Sequence, residues 1–423
     1  MTAEIVSSAP QRTSNAKQPK RLPRGLILAV ATLLALGNGV IYMWSIFNKP
    51  LMDAFGYSPS GVALAYSLFM LMSCVGSFLA GWLQNRMQLR FVVLGGGLCF
   101  GLGWALSGFA DTLPLLYLFF GGLGGLGNGL TYNTIVSVAT KWFPDKRGFA
   151  NGICTGAMGM GPVIFAPFGN FLIESLDVLM AFRVVGLMWL VLYVAFSWLL
   201  TAPPDGWAPK GWNPEQAKSA SVSSGRNFAT KQMLKQPLFY VLFLLLMVAV
   251  TSGQMVNGHA SNLGQELAQL TSAQAALMVS LLGVGSVLGR LGFGALSDKL
   301  GRYVTMIVIL GLNAAIMLLA LGNAHTFVTF MVCMMLAGAC FGGTMSVMPS
   351  IVGDVFGARF FGQNWAFVYA GYTVASFVGP MVAANATETA GTFGPALIVA
   401  GVLALVGIAL TLLARSMAKR LAS

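Results

Sequence analysis

Residues 294–303 read GALSDKLGRY, and residues 81–90 read GWLQNRMQLR. Gly81 and Gly294 lie 213 positions apart, as do Asn85 and Asp298. The offset recurs farther on: Phe143 opens FPDKRG and Phe356 opens FGAR, again 213 apart, with Arg147 and Arg359 at 212. Chance similarity does not hold one offset across separate loops, so the chain reads as a duplicated unit. Each of these short polar stretches lies between long apolar runs.

Those runs decide the fold class. Hydrophobic residues make up 57% of the 423 positions and charged residues 9%, against roughly 25% charged in a soluble domain. So few charges cannot cover a water-facing surface, and the surplus apolar surface must meet lipid. About 20 apolar residues cross the hydrocarbon core as a helix. Runs of that size fall at 25–47, 60–83, 91–110, 113–138, 148–172, 181–201, 237–258, 273–296, 303–321, 325–351, 360–384 and 393–415. The expected architecture is an all-α polytopic membrane protein of twelve spans in two bundles of six. A tail (1–24) precedes the first bundle (25–201), and a Pro- and Ser-rich linker (202–236) leads to the second (237–415) and a short tail (416–423). The linker composition predicts a flexible segment with a short surface helix near 213–220. Chain 1–24 is basic and polar and precedes a run of full spanning length, unlike a cleavable signal peptide.

The net charge of +12 is a topology signal rather than a nucleic-acid footprint. Of the 24 Lys and Arg, 21 fall in the tails, the linker and the loops after spans 2, 4, 8 and 10, while the other side holds only Lys49 and, at the start of span 6, Arg183. Positively charged loops stay in the cytoplasm. Both termini and the linker are therefore expected to be cytoplasmic, in a multi-pass protein of the cell's inner membrane.

One charge remains inside a span. Arg290 precedes Asp298, at the cytoplasmic end of span 8, by eight residues, which is about 12 Å of helix against a half-thickness of about 15 Å. A cation near the midplane is unfavourable by about 2.5 kcal/mol or more, and no acidic residue lies mid-span to pair with it; Asp354 sits at the end of span 10. A buried guanidinium with its donor fork free reads as a site for a small anion, a carboxylate above all. The competing reading is pairing with backbone carbonyls or with Asp354. Polar and aromatic residues recur in other spans: Asn38, Tyr42, Trp44 and Phe47 in span 1, Asn128, Tyr132 and Asn133 in span 4, Gln254 and Asn257 in span 7, Tyr369 and Tyr372 in span 11. Each alone is as much a core residue as a ligand contact; together with Arg290 they would box a small anion. His259 and His325 map to loops on the outer side. The five cysteines all lie in apolar runs, without metal-ligand spacing. No nucleophile–His–acid set is present, and Gly121 to Gly129 lie inside span 4, where close helix packing explains them. Neither an enzyme nor a metal or cofactor is expected.

Six-plus-six spans, a long central loop and the pattern G-x-x-x-D-R/K-x-G-R/K resemble the major facilitator superfamily. The copy at 294–302 matches fully. The copy at 81–90 departs from it, with Asn85 in place of Asp and Gln88 in place of Gly. On physical grounds Asp298, with Lys299 and Arg302 nearby, can pair with Arg359 or a neighbouring helix end and latch the cytoplasmic side. Asn85, Arg86, Arg90, Arg147, Asp354 and Arg359 complete the expected gating set. Gly39-x-x-Tyr42-x-Trp44-x-x-Phe47, KWFPDKRG at 141–148 and Arg290 ahead of SDKLGR narrow the likeness to the oxalate/formate antiporter family, related to monocarboxylate transporters. The resemblance implies that Tyr42, Trp44, Tyr132, Arg290 and Tyr369 line the pocket; Asn257 and Tyr372 join them on this chain's own pattern. Where the oxalate antiporter has a lysine in span 11, this chain has Tyr372; where animal monocarboxylate transporters have an Asp four residues before the arginine, it has Ser286. One fixed positive charge therefore faces the cavity, which favours a monocarboxylate such as lactate, pyruvate, formate or glycolate. A counter-anion or a proton is the expected second transported species, and a monomer is the family's usual state. A dicarboxylate antiporter, a channel and a transporter-derived sensor are the alternatives.

Overall fold

The computed structural model describes residues 23–84, 86–143, 147–204, 207, 209, 227–357 and 360–422. Among them there are helices and turns and no strand. The expected linker helix near 213–220 lies outside the described residues. Among the described residues twelve helices are long and apolar enough to span: Arg24–Met43, Pro59–Leu83, Leu89–Ser107, Leu113–Trp142, Gly152–Ser175, Val178–Leu199, Pro237–Leu267, Ser272–Leu300, Arg302–Asn323, Phe327–Phe356, Gln363–Ala390 and Gly394–Leu421. In hydrocarbon every backbone N–H and C=O must be paired within the protein, and a continuous apolar run of about 20 residues, twice the length of a spanning strand, meets that demand as a helix. Successive spans alternate in direction, so the start of span 1 and the described ends of spans 2, 4, 8, 10 and 12 share one face, here the terminal face; the opposite face is the distal face.

The duplication extends to the helix starts. Arg24, Pro59 and Leu89 open spans 1, 2 and 3, and Pro237, Ser272 and Arg302 open spans 7, 8 and 9, 213 residues later in each case. Spans 2 and 8 are capped alike: the Ser58 hydroxyl accepts from the Gly61 N–H, and the Thr271 hydroxyl from the Gln274 N–H. The loop after span 8 turns at Gly301 with φ +87, whereas Gln88, the matching residue after span 2, sits at φ −64, where no glycine is required.

Several spans run a turn or more past their expected ends, and two differences bear on the site. Span 1 is broken: Arg24–Asn38 is α-helical, Gly39–Met43 tightens into a 3₁₀ turn, and a second helix, Ser45–Phe55, continues past Lys49 and Pro50. The break falls where Gly39 meets the backbone of Met158 and Gly161 in span 5. Span 7 runs on to Leu267, so His259 is helical and buried rather than in a loop. The polar stretch from Ser261 to Glu266 stays helical because it borders a cavity between the bundles rather than lipid.

Small residues set the tightest crossing in the second bundle. Gly285 and Gly289 of span 8 lie against Met335 and Ala339 of span 10, and Gly338 and Gly342 lie against Leu282 and Ser286 in return. A Cβ on Gly342 would overlap the Ser286 carbonyl oxygen, which is helix backbone and cannot swing aside. Gly342→Val is expected to destabilise the protein by about 2 kcal/mol or more through overpacking, read as a lower Tm in detergent.

The two bundles meet through span 5 on span 8, span 2 on span 11, and helix Ser45–Phe55 on span 7. The hydrogen bonds found between them among the described residues form a ladder: Arg290 to the Thr155 carbonyl, Ser280 to that of Pro162, Tyr42 to Tyr372, Tyr66 to Gln254, Ser67 to the Phe377 carbonyl, Asn48 to that of Gly258, and the Ser60 N–H to Glu388. The Arg290 rung is nearest the terminal face; the others lie distal to it.

Candidate functional site

Arg290 stands on span 8, ten residues before its terminal-face end. Its Nη1 donates to the Thr155 carbonyl of the other bundle at 3.1 Å, while its Nε is buried without a partner. Asp354, the one carboxylate weighed as its partner, instead faces Arg302 at 3.5 Å. Tyr42, Asn257, Gly283, Ser286 and Phe341 enclose a cavity beside the guanidinium. Its free space is about 10 Å³, room for about one water molecule, so the two bundles have almost closed over it. The guanidinium edge that carries Nε can still take a planar anion through N–H bonds.

Tyrosines form the rest of the wall. The Tyr42 and Tyr372 hydroxyls are 3.4 Å apart across the bundle interface, and Tyr372 stacks on Tyr369 with centroids 4.7 Å apart and planes at 10°. Tyr132 and Tyr369 both lie within electrostatic reach of Arg290. Of the residues singled out in the sequence, Tyr42 and Asn257 thus line the cavity with Arg290, Tyr132 and Tyr369 lie within its electrostatic reach, and Tyr372 joins them through Tyr42 and Tyr369. Trp44 does not. It is fully buried in the first bundle, stacked on Phe120 at 4.1 Å and flanked by Phe47 and Phe182. Two residues after Tyr42, it leaves a helix on nearly the opposite side, so the pair cannot both face the cavity.

Asn38 and Asn128 are likewise structural. The Asn38 amide donates to Asn128 Oδ1 and to Thr131 Oγ1, both at 2.8 Å, and its Oδ1 accepts from the Tyr193 hydroxyl at 3.2 Å. These bonds close a buried network inside the first bundle. Asn133 accepts from the Gln84 side chain at 3.0 Å. Gln254 is different: its Oε1 accepts from the Tyr66 hydroxyl at 3.1 Å, but its Nε2 is buried and unpartnered.

At the terminal face, Arg302 bonds Asp298 four residues before it and reaches Asp354 at the end of span 10. This clasp lies within the second bundle. The expected partner Arg359 lies outside the described residues, as does Asn85, and Arg147 is placed only as the start of the span 5 helix. Arg86 lies over the Trp82 ring at 4.0 Å, and Arg90 lies near Phe91 and Trp198. Lys299 is exposed. The two aspartates are 66% and 64% exposed, so water screens the clasp to about 1 kcal/mol or less. Arg302→Gln is expected to lower the detergent Tm slightly and to leave substrate affinity unchanged in a binding titration.

A second cavity, of about 310 Å³, opens on the distal face between Asn48, Lys49 and Asp53 of one bundle and His259, Glu266 and Phe393 of the other. His259 Nε2 is 3.0 Å from the Pro380 carbonyl. A carbonyl only accepts, so that nitrogen carries the hydrogen. His325 lies in the turn between spans 9 and 10.

The profile described as Major Facilitator Superfamily matches residues 27–268 and 253–422. An Escherichia coli K12 protein, the uncharacterized MFS-type transporter YhjX, is 30% identical over 83% of this chain and 85% of its own length. The oxalate:formate antiporter of Oxalobacter formigenes is 29% identical over 86% and 84%, and mouse monocarboxylate transporter 12 is 27% identical over 84% and 78%. Among solved structures, a bacterial homolog of the human lysosomal transporter Spinster, inward-facing and unoccupied, superposes with a TM-score of 0.74 at 16% identity, covering 94% of this chain and 98% of its own. That likeness establishes the fold alone.

Proposed function

Since the chain belongs to the Major Facilitator Superfamily, and is a membrane transporter rather than an enzyme, we propose that it carries a small monocarboxylate of the lactate, pyruvate or formate kind. The single observation that carries this reading is Arg290: a cation deep in a span, its Nε buried and unpartnered, beside a cavity lined from both bundles. A cation within a span without a counter-charge is unfavourable by a few kcal/mol, and an anion between the bundles removes that penalty. Tyr372, in the stacked tyrosine pair, supplies a hydroxyl and no second charge, so charge balance favours a monoanion over a dianion.

Movement follows from the duplicated architecture. Two six-helix bundles that rock around a site between them present it to one face and then the other. The interbundle hydrogen bonds, lying at or distal to Arg290, are those that opening the distal face would break. The density of Lys and Arg on the terminal face supports a cytoplasmic position for it in an inner-membrane protein. Closing without substrate would leave the Nε edge of Arg290 unpaired, which favours exchange of one anion for another over net flux. Oxalate is the second reading, because an oxalate:formate antiporter is among the relatives. The protein is proposed to act as a monomer.

Purified protein in liposomes tests the reading. Labelled lactate, pyruvate, formate and oxalate are offered outside against unlabelled monocarboxylate inside, with equal pH on both sides. Saturable counterflow of a monocarboxylate is expected. Flux linear in concentration would indicate a channel, and no carboxylate flux would refute the proposal.

A further inference from the structure

We infer that the distal cavity is a binding site for a small organic ammonium ion, a protonated primary amine, and that its occupant holds the distal face shut. The inference goes beyond the carboxylate reading and does not depend on which anion Arg290 takes.

Two buried acceptors at this cavity have no donor. His259 is 3% and Asn48 2% exposed, and both line the cavity. The His259 hydrogen sits on Nε2, facing the Pro380 carbonyl, so the neutral ring presents a bare lone pair at Nδ1. The Asn48 Nδ2 donates to the Gly258 carbonyl at 2.8 Å. A carbonyl only accepts, so that bond fixes the amide and leaves Oδ1 as its free end. Among the described residues neither His259 Nδ1 nor Asn48 Oδ1 has a hydrogen-bond partner, and nor does Oδ1 of Asn262, one turn after His259 on the same helix. Buried acceptors nearly always find a donor. The cavity is therefore short of N–H and O–H groups, not of acceptors.

Charge decides which donor fits. The lining carries two carboxylates, Asp53 and Glu266, against one ammonium, Lys49. Water supplies a donor but no charge; an organic ammonium supplies both. The carboxylates stand on opposite bundles, Asp53 on helix Ser45–Phe55 and Glu266 on span 7, so a cation between them ties one bundle to the other. Phe393 packs on the His259 ring with centroids 5.6 Å apart and adds an aromatic wall, which suits a cation. The free space of about 310 Å³ is at the small end of ligand pockets, enough for an amine of a few carbons. A metal ion fits less well, because among the described residues no three His, Cys, Asp or Glu side chains stand together to hold one. The Asn48–Gly258 and Ser60–Glu388 bonds already close this face, and an occupant between the same elements reinforces the closed state.

Propylammonium, trimethylpropylammonium and 1-propanol test this: the first has charge and N–H donors, the second charge alone, the third a donor alone. In detergent, at constant pH and ionic strength, Tm is expected to rise saturably with propylammonium, and by less than half as much with the other two. Asp53→Asn is expected to raise the half-saturating concentration about threefold and Lys49→Gln to lower it about threefold, the scale of one exposed charge pair. Both side chains are exposed, so neither replacement threatens folding. In liposomes of phosphatidylcholine and phosphatidylglycerol, counterflow is expected to slow over the same range of propylammonium. Phosphatidylethanolamine carries the same ammonium in its headgroup. Slower counterflow on adding that lipid, without free amine, would name the headgroup as the natural source; no effect of the lipid would name a soluble amine. The inference is overturned by the absence of a saturable rise in Tm, by an equal rise with the quaternary ion, by variants that leave the rise unmoved, or by undiminished counterflow at saturating propylammonium. The Tm measurements need no transported anion, so their failure is distinct from a failure of carboxylate transport.

Discussion

Arg290→Ala is expected to reduce carboxylate transport by about 10²–10³-fold, the consequence of deleting one partner of a desolvated, hydrogen-bonded charge pair. The side chain has two duties. Nη1 holds the Thr155 carbonyl across the bundle interface, and Nε faces the cavity unpaired. Alanine ends both, so a loss of transport alone would not separate anion binding from bundle contact. Arg290→Lys separates them. A lysine keeps a positive charge and can reach a carbonyl, but it has no planar fork for a carboxylate. It is expected to retain folding and weak transport, with a much raised half-saturating concentration. Arg290→Gln keeps a donor without charge and is expected to resemble alanine. The measurement is initial counterflow rate against substrate concentration for the three variants, at matched protein density in the liposomes. Undiminished transport by the alanine variant would sink the assignment of Arg290 to the substrate.

The spans were legible because the bilayer imposes one demand that composition meets: apolar length with internal backbone pairing. The same logic misplaced His259. Residues 259–267 are polar enough to pass for a loop, yet they remain helical beside the distal cavity. Hydropathy records what a residue prefers to touch, and a helix bordering a cavity between bundles prefers what a loop prefers. Trp44 was misplaced for another reason. Proximity in sequence to Tyr42 made it attractive, though a two-residue step on a helix turns the side chain away; its indole packs on Phe120 instead. For Asp298 the expected partner was Arg359, which lies outside the described residues, or a neighbouring helix end, and Arg302, which opens span 9, is such an end. There the two aspartates, each about two-thirds exposed, clasp one arginine within a single bundle. What no sequence pattern could separate was Asn38 from Gln254. Both are buried amides in cavity-side spans, and only atomic partners distinguish them. Asn38 has its nitrogen and oxygen satisfied within its own bundle, whereas Gln254 has a nitrogen to spare.

Tyr372→Lys is expected to raise the ratio of oxalate to lactate transport by about tenfold to a hundredfold, the range for one added hydrogen bond to a charged group. Tyr372 is 8% exposed, stacked face to face on Tyr369, with its hydroxyl 3.4 Å from that of Tyr42. Its ring borders Phe341, a wall of the Arg290 cavity. An ammonium there would give the pocket two fixed cations. A dianion then pairs with both, while a monoanion leaves one buried charge without a partner, so lactate should lose as oxalate gains. Tyr372→Phe is the control, because it deletes the hydroxyl and the bond to Tyr42 while adding no charge. Its oxalate-to-lactate ratio should match wild type within about twofold, the error expected when only a weak neutral bond is removed. Competition of unlabelled oxalate against labelled lactate gives both ratios in one assay. If the lysine variant gains no oxalate relative to lactate, substrate charge is not set by the count of cations around the cavity. Shape at the tyrosine wall, rather than electrostatics, would then be what separates one carboxylate from two.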